Sequence, residues 1–316
     1  MGIRSQNNPL AAYLDVFSNT GTDAATAAVA PSGLTATGGV ISDYTTTPGD
    51  VYRAHIFTSS GALNVTALGD FGDTIDYLVV AGGGSGGTNQ GGGGGAGGYR
   101  TTMPEAPGGP GTSAESAVPV SAGPTSYPVV IGAGAAGRGP GSNVQGLDGT
   151  NTTFDGPTFT AVTSTGGGGG GSYGSATGRT GGSGGGSGAS GPTSTTPGGA
   201  AASPIQGYVG GAAAGSSSNH RAGGGGGAGA AGVNGVPGAA SGPGGVGKTS
   251  TIAYGPTNTQ TIAGGGGGSS EPGSDATRGN HPSNPNGAGG APFGGGLGGG
   301  AGAAGLFSTG AGGGAG

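Results

Sequence analysis

Residues Gly242 to Thr249 read GPGGVGKT, a literal match to G-x-x-x-x-G-K-[ST]. In that pattern backbone amides and a lysine cradle nucleotide phosphates while the final hydroxyl holds magnesium. Lys248 would then reach phosphate and Thr249 the metal. The flanks argue against this reading: NGVPGAASGPGG before it is no strand, STIAYGPTNTQTIAG after it alternates as strands do instead of opening a helix, and no apolar strand ending in aspartate follows. With 91 glycines in the chain such a pattern arises by chance, so the segment is read as scaffold and a nucleotide hydrolase is set aside. His55, His220 and His281 stand far apart, none in the short spacing that puts two ligands on one face. His55 is read as a sheet residue. Asp70, Asp73 and Asp76 are the tightest acidic group, but they lack the D-x-D-x-D-G loop of a calcium site and read as a turn plus an exposed strand face. Cysteine is absent, so no thiolate ligand exists. No catalytic residue, metal or cofactor is assigned, and the chain is expected not to be an enzyme.

The side chains left for recognition are islands that interrupt glycine: Ser172-Tyr173, Tyr208, Asn219-His220-Arg221, and Arg278 with Asn280-His281. Tyrosine and arginine make good anchors at binding surfaces, and a tyrosine ring can stack on a sugar. Tyr173, Tyr208, Asn219, His220, Arg221, Arg278 and His281 are therefore the candidate receptor contacts, against the competing reading that they fill loops or touch a neighbouring subunit.

What must position them is unusual. Gly (91) and Pro (21) make up about a third of 316 residues, only 7% are charged and 5% aromatic, and there is no Trp. Such a composition lies where low complexity is the default, and a large oily core cannot be assembled from it. The net charge of −5 argues against nucleic acid, which demands clustered Lys and Arg. The start, MGIRSQNNPLAAYLDVFSN, lacks the basic and apolar regions of a secretory signal, and Gln6 stands where a myristoylation site needs Ser or Thr. No stretch approaches the roughly 20 apolar residues of a membrane helix, so a soluble chain without membrane insertion is expected.

Glycine divides the chain near Ala81, since only 9 of the 91 fall in residues 1–80. Residues 1–32 read as an attachment segment, with a short helix around Leu10 to Phe17 followed by small residues; Asn8, Pro9, Leu10, Tyr13, Leu14 and Phe17 are its candidate anchor. Residues 33–81 read as a small antiparallel β-domain. In VYRAHIFT, Tyr52, Ala54 and Ile56 share one face and Arg53, His55 and Phe57 the other; in ALNVTAL, Leu63, Val65 and Ala67 oppose Asn64, Thr66 and Leu68. Tyr77 to Ala81 is continuously apolar, as suits a central strand covered on both sides. Residues 82–316 alternate glycine runs with short β-like stretches, and TTFDGPTFTAVTSTG and TSTIAYGPTNTQTIAG repeat one form: strand, Gly-Pro turn, strand, glycines.

An isolated polyglycine run should be disordered, because glycine loses the most backbone freedom on folding and has no side chain to bury. These runs, however, are similar in length and separated by β-like turns. The ordered state open to them is the polyproline II helix, which has three residues per turn and no internal hydrogen bonds. Its outward-facing amides and carbonyls need partners, and only residues without a Cβ let two backbones approach closely enough. Residues 82–316 are thus expected to form a glycine-rich polyproline II sandwich with short hairpins, its loops carrying nearly all the side chains. The fold class is mostly β and irregular, and a rigid scaffold displaying loops suits an adhesin or structural spike.

The stretch VYRAHIFTSSGALNVTALGDFGDTIDYLVVAGGGSGGTNQGGGGGAGGYR, with YPVVIGAGAAG and FTAVTSTGGGGGG after it, resembles a glycine-rich module of virion structural proteins from tailed bacteriophages, many of them marine. The junction of strand and LVVAGGG is its specific part. The resemblance implies a tail fibre, tip adhesin or other virion appendage, oligomeric and engaged in host attachment. A homotrimer is expected, bound to other virion proteins through residues 1–32 and to a host surface glycan or protein through its loops. Alternatives are a capsid-surface fibre or tail component without a receptor role, and an ice- or surface-binding protein, although the regular G-x-x repeat of the latter is missing. The family commonly closes with a strand of the GIVIVRY kind where this sequence has LFSTGAGGGAG. A neighbouring subunit is one expected source of the partner for the Tyr77 to Ala81 strand.

Overall fold

The computed structural model describes residues 32–269, except 106, 122, 140–142, 176, 192–194, 217–218 and 238–240, together with Gly313. The expected helix at Leu10 to Phe17, the anchor residues Asn8 to Phe17, Arg278 and His281 lie outside the described residues. Within them the chain is mostly strand and irregular structure, with no helix. Fifteen strands occur: β1 (Thr35–Thr37), β2 (Val40–Thr45), β3 (Val51–Ile56), β4 (Gly61–Ala67), β5 (Thr74–Ile75), β6 (Leu78–Val80), β7 (Tyr99–Thr101), β8 (Val118–Pro119), β9 (Thr125–Val130), β10 (Thr152–Gly156), β11 (Phe159–Ser164), β12 (Ala214–Ser216), β13 (Asn219–Arg221), β14 (Lys248–Ser250) and β15 (Gln260–Ile262).

One antiparallel sheet, in the order β1-β4-β9-β10-β11, carries the apolar core. Strict alternation in β4 puts Leu63 and Val65 inside and Asn64 and Thr66 outside. The inner residues meet Tyr77, Val79, Val118, Tyr127, Phe154 and Val162, and each such large side chain contributes about 1.5–3 kcal/mol by leaving water. Tyr127 and Phe159 stack with centroids 5.9 Å apart. A Cβ at Gly156 would sit 2.2 Å from the Tyr127 ring, which is why the β10–β11 turn begins with glycine. The sheet does not stop at Ala81: β1 and β4 precede that residue, while β9, β10 and β11 follow it. Residues on both sides of the glycine boundary build a common core.

Two sequence expectations change here. Tyr77 to Ala81 is not a central strand; β6 pairs with β7 of the same chain, Val80 opposite Tyr99 and Leu78 opposite Thr101. No neighbouring subunit is required as its partner, because Gly82 to Gly98 turns back on itself and returns β7 to β6. The two Gly-Pro repeats also differ: β10 and β11 form a close hairpin, whereas β14 and β15 pair over only three residues each across a long connection.

Between β1 and β4, the β2–β3 hairpin leaves the sheet as an arm. It departs at Gly38 and Gly39, whose φ values of +113° and +62° favour glycine. His55 lies in β3 with Nδ1 2.7 Å from the Gly38 carbonyl oxygen, tying the arm to its kink. Asp43 accepts two hydrogen bonds from Arg53, and Tyr44 stacks on Tyr52 at 5.7 Å. The Tyr44 ring reaches the turn after β14, where a Cβ on Gly255 would lie 2.8 Å from it.

Tyr77 and Tyr99 are buried at the junction of sheet and glycine runs. Burial pushes both phenols well above the ordinary tyrosine range, and at Tyr77 the neighbouring Glu115 carboxylate adds to the effect. The folded state therefore holds them neutral at a pH where the unfolded chain ionises them. Their contribution is complete below about pH 10, the ordinary tyrosine pKa, and declines as pH rises above it. Urea midpoints measured from pH 8 to 11.5 are expected to fall above pH 10, and a Tyr77→Phe chain should fall less steeply.

Beyond β6 the backbone enters a lattice of glycine runs. In the first run, the amides of Ala81, Gly84 and Gly87 donate to the carbonyls of Gly98, Gly95 and Gly92, while those of Gly82, Ser85 and Thr88 donate to Thr150, Leu147 and Val144. The same face recurs at every third residue. Elsewhere, Ala222, Gly225 and Ala228 donate to Ser269, Gly266 and Ala263; Gly223 and Gly226 donate to Ser187 and Gly184; and Gly224 and Gly227 donate to Val233 and Ala230. Three residues per turn is the period of a polyproline II helix. Run 91–98 lies at the centre, bonded to runs 81–88, 165–171, 183–186, 223–226 and 266–269 and to Gly313. Runs this close exclude side chains: a Cβ on Gly94 would lie 2.2 Å from the Gly84 oxygen, and one on Gly225 2.0 Å from that of Gly94.

At the rim, where no further run is available, side chains supply the missing acceptors. Gly166 donates to Asn151 Oδ1 and Gly169 to Asp148 Oδ1, both at 2.9 Å, again three residues apart on each partner. Arg179 holds Asp148 in place with two bonds of 2.8 and 2.7 Å.

Candidate functional site

Run 81–88 leaves β6, turns at Asn89 and Gln90, and comes back along 91–98 to β7, so the turn marks the end of the lattice farthest from that strand pair. Asn89 and Gln90 take left-handed backbone, φ +48° and +56°, an uncommon state for residues other than glycine. Several other loops meet there. Tyr173 N–H donates to the Asn89 carbonyl and Ala189 N–H to that of Gln90, both at 3.0 Å, and Asn89 Nδ2 donates to Asn143 Oδ1 at 2.6 Å. Ser269 N–H bonds the Gly91 carbonyl and Ala222 N–H bonds that of Ser269, bringing the exit of the β12–β13 hairpin to the same place. Ser187 Oγ donates to the Thr196 carbonyl at 2.7 Å and accepts from Ala213 N–H, fastening these three segments to one another.

Of the sequence candidates, this end brings Tyr173 and His220 together. Their rings meet edge to face, with centroids 6.0 Å apart at 85°, a favoured aromatic arrangement. Both are half-buried, beside exposed Asn89 and Asn143. Asn219 pairs with Ser216 at the tip of the β12–β13 hairpin, and its side chain lies outside the description. Arg221 is only 2% exposed; it is packed beneath the hairpin against Gly235, where a guanidinium cannot meet an external partner in this conformation. Tyr208 belongs to the flank, its amide bonded to Gly227 and its carbonyl to Gly184, away from the turn. Sequence reasoning missed Asn89, Gln90 and Asn143. The signal was there in Thr88-Asn89-Gln90, the break between two glycine runs, which marks a turn tip.

The remaining motifs resolve as structure. Lys248 and Thr249 lie in β14, with Thr249 opposite Thr261 of β15, and Lys248 Nζ donates to the Pro107 carbonyl at 2.8 Å. A P-loop lysine follows a phosphate-binding turn and opens a helix; this one is in a strand and half-buried, and burial lowers its pKa. Asp70 Oδ2 accepts from Ser32 N–H at 2.7 Å, so it ties two segments together. Among the described residues no group of three or more His, Cys, Asp or Glu could hold a metal ion, and no helix is long and apolar enough to cross a membrane.

The loop end therefore presents an imidazole, a phenol and carboxamides on a rigid base. This set can donate, accept and stack. A family model described as a glycine-rich domain matches residues 58–316, more than half of the chain. The chain belongs to this glycine-rich domain family. No curated protein and no solved structure matches it. The family match spans β4, β9, β10 and β11 of the core sheet, leaving only its edge strand β1 outside, and every described glycine run, so most of the sheet and the lattice fall within one glycine-rich domain.

Proposed function

We propose that this glycine-rich domain protein is a virion appendage of a tailed bacteriophage, a tail fibre or adhesin whose lattice, a sandwich of polyproline II helices, displays loops for host attachment. The observation that carries the reading is the gathering of residues 89–90, 143–144, 172–175, 187–191, 195–196, 214–216 and 219–221 at the end of the lattice opposite β6 and β7. Function concentrates on loops held by a rigid scaffold. The resemblance of the LVVAGGG module to virion proteins supplies the biological setting. Tyr173 and His220, with Asn89 and Asn143, offer an aromatic ring beside hydrogen-bonding amides, a surface suited to a glycan or glycosylated protein. At the other end, the β2–β3 arm exposes Val40, Ile41, Val51 and Tyr52 and is the proposed contact between three copies of the chain, with residues 1–32 joining the particle. No catalysis and no cofactor belong to this reading.

The test has two parts. Antibody-labelled particles in the electron microscope are expected to carry label at the tail tip. Label on the capsid would favour a surface fibre instead, and unlabelled particles would end the virion reading. Purified chain is expected to run as a trimer by light scattering and to compete with the particle for host cells. A Tyr173→Ala, His220→Ala double variant should compete at least tenfold less well. Equal competition by the variant would remove the loop end from attachment.

A further inference from the structure

We infer that the lattice contains a peptide-binding slot between runs 81–88 and 91–98, and that its occupant is the glycine run around Gly313 of the same chain. Gly313 accepts from Gly94 N–H and donates to the Gly84 carbonyl, each at 2.7 Å, while Gly84 N–H donates to the Gly95 carbonyl. These three bonds close a triangle of three backbones, and Gly313 is buried within it. Both walls of the slot belong to the single hairpin that leaves β6 and returns at β7, so the slot is built without its occupant. The third backbone comes from a point distant in sequence. Once the walls are paired to each other, Gly94 N–H and the Gly84 carbonyl point at the same gap, and each needs a partner there.

The sequence of residues 310–316, GAGGGAG, fits the requirement. In the lattice one face recurs every third residue, and the positions in step with Gly313 are Gly310 and Gly316, both glycine. The alanines of the run, Ala311 and Ala315, are out of step with it. On the walls, the same period places Gly91 and Gly97 in step with Gly94, and Ala81 and Gly87 in step with Gly84. The slot thus selects a ligand by chemistry: a short backbone with glycine at every third position, recognised through amides and carbonyls and not through side chains. It is a counterpart, for glycine helices, of adding a strand to a sheet edge. This inference stands independently of the virion reading, since it concerns how the lattice is completed and not what its loops touch.

The experiment is hydrogen exchange at the Gly94 amide. In a chain that ends at Thr309, protection at Gly94 is expected to fall at least tenfold, while Gly225, which donates to Gly266, keeps its protection. A synthetic peptide of residues 308–316 at millimolar concentration should restore Gly94. The same peptide with alanine at the positions of Gly310, Gly313 and Gly316 should not. If the shortened chain does not fold, the full chain carrying Gly310→Ala, Gly313→Ala and Gly316→Ala is used, with selective loss at Gly94 as the expected result. Unchanged protection at Gly94 in either chain overturns the inference, as does equal restoration by both peptides. Restored protection at Gly94 of the shortened chain on mixing it with micromolar full chain, in place of the peptide, overturns the assignment of the run to its own chain.

Discussion

A Gly94→Ala chain is expected to lose more than about 3 kcal/mol of stability and to be recovered largely unfolded, because the added methyl has nowhere to go. Its Cβ would lie 2.2 Å from the Gly84 oxygen and 2.7 Å from the Gly84 carbonyl carbon. Neither atom can swing aside as a side chain would, since both belong to a backbone held on other faces. Moving run 81–88 away would break its bonds to Gly95, Leu147 and Gly92 together. The control is Gly139→Ala, where nothing lies within 4 Å of the new Cβ. That change is expected to be neutral or to stabilise by up to about 1 kcal/mol through the unfolded state. Thermal melts of the two variants beside the parent decide the matter: a Gly94→Ala chain melting within a few degrees of Gly139→Ala would show that close-packed backbones are not what holds the lattice.

The second large effect is expected at Glu115. Its carboxylate takes two bonds from Arg100, at 2.9 and 2.5 Å, and one from the Tyr77 hydroxyl at 2.7 Å. Arg100 and Glu115 side chains are only 21% and 22% exposed. A Glu115→Ala change leaves a guanidinium and a phenol without their acceptor where water is scarce, and should cost about 2–3 kcal/mol. Arg100 also donates to the Thr163 carbonyl of β11, so the damage falls where β7 meets the core sheet. The expected result is a lower urea midpoint with an unchanged slope. Glu115→Gln, which retains one acceptor oxygen, should lie between. A midpoint within error of the parent for Glu115→Ala would make this pair a surface contact of little worth.

How far the sequence carried the reading can be seen residue by residue. Alternation in ALNVTAL placed Leu63 and Val65 correctly inside, because one face of β4 is covered and the other is wet. At Tyr77 to Ala81 the continuous apolar stretch implies a central strand covered on both sides; both faces of β6 are indeed covered, Val79 by the sheet's core and Leu78 and Val80 by Tyr99, Ala228 and Ala263, but the strand is not central, since β7 is its one strand partner. The Gly156-Pro157 turn was legible from its dipeptide. Its counterpart at Gly255-Pro256 has the same letters but opens into a longer connection resting on Tyr44, a contact set by tertiary structure. For the glycine runs, composition alone gives disorder, and an ordered lattice of paired backbones follows only from asking where the amides would go. The individual partners, Gly94 with Gly313 or Gly225 with Gly266, could not be foreseen, because runs of identical residues carry no register. Side chains fix that register from outside, as Asn151 and Asp148 do for Gly166 and Gly169. At the loop end, Tyr173 and His220 were found as isolated polar islands, but their pairing depends on two loops meeting, which spacing in the chain does not encode.

The lattice also sets how the protein should respond to cold. Its interior is amide meeting amide, so melting it would hydrate polar groups far more than oily ones, and polar hydration lowers the heat capacity where apolar hydration raises it. The curvature of stability with temperature should therefore be shallow in this part of the molecule, with little of the weakening that domains held by oily cores undergo as they are chilled. In near-freezing water the loop platform would stay stiff.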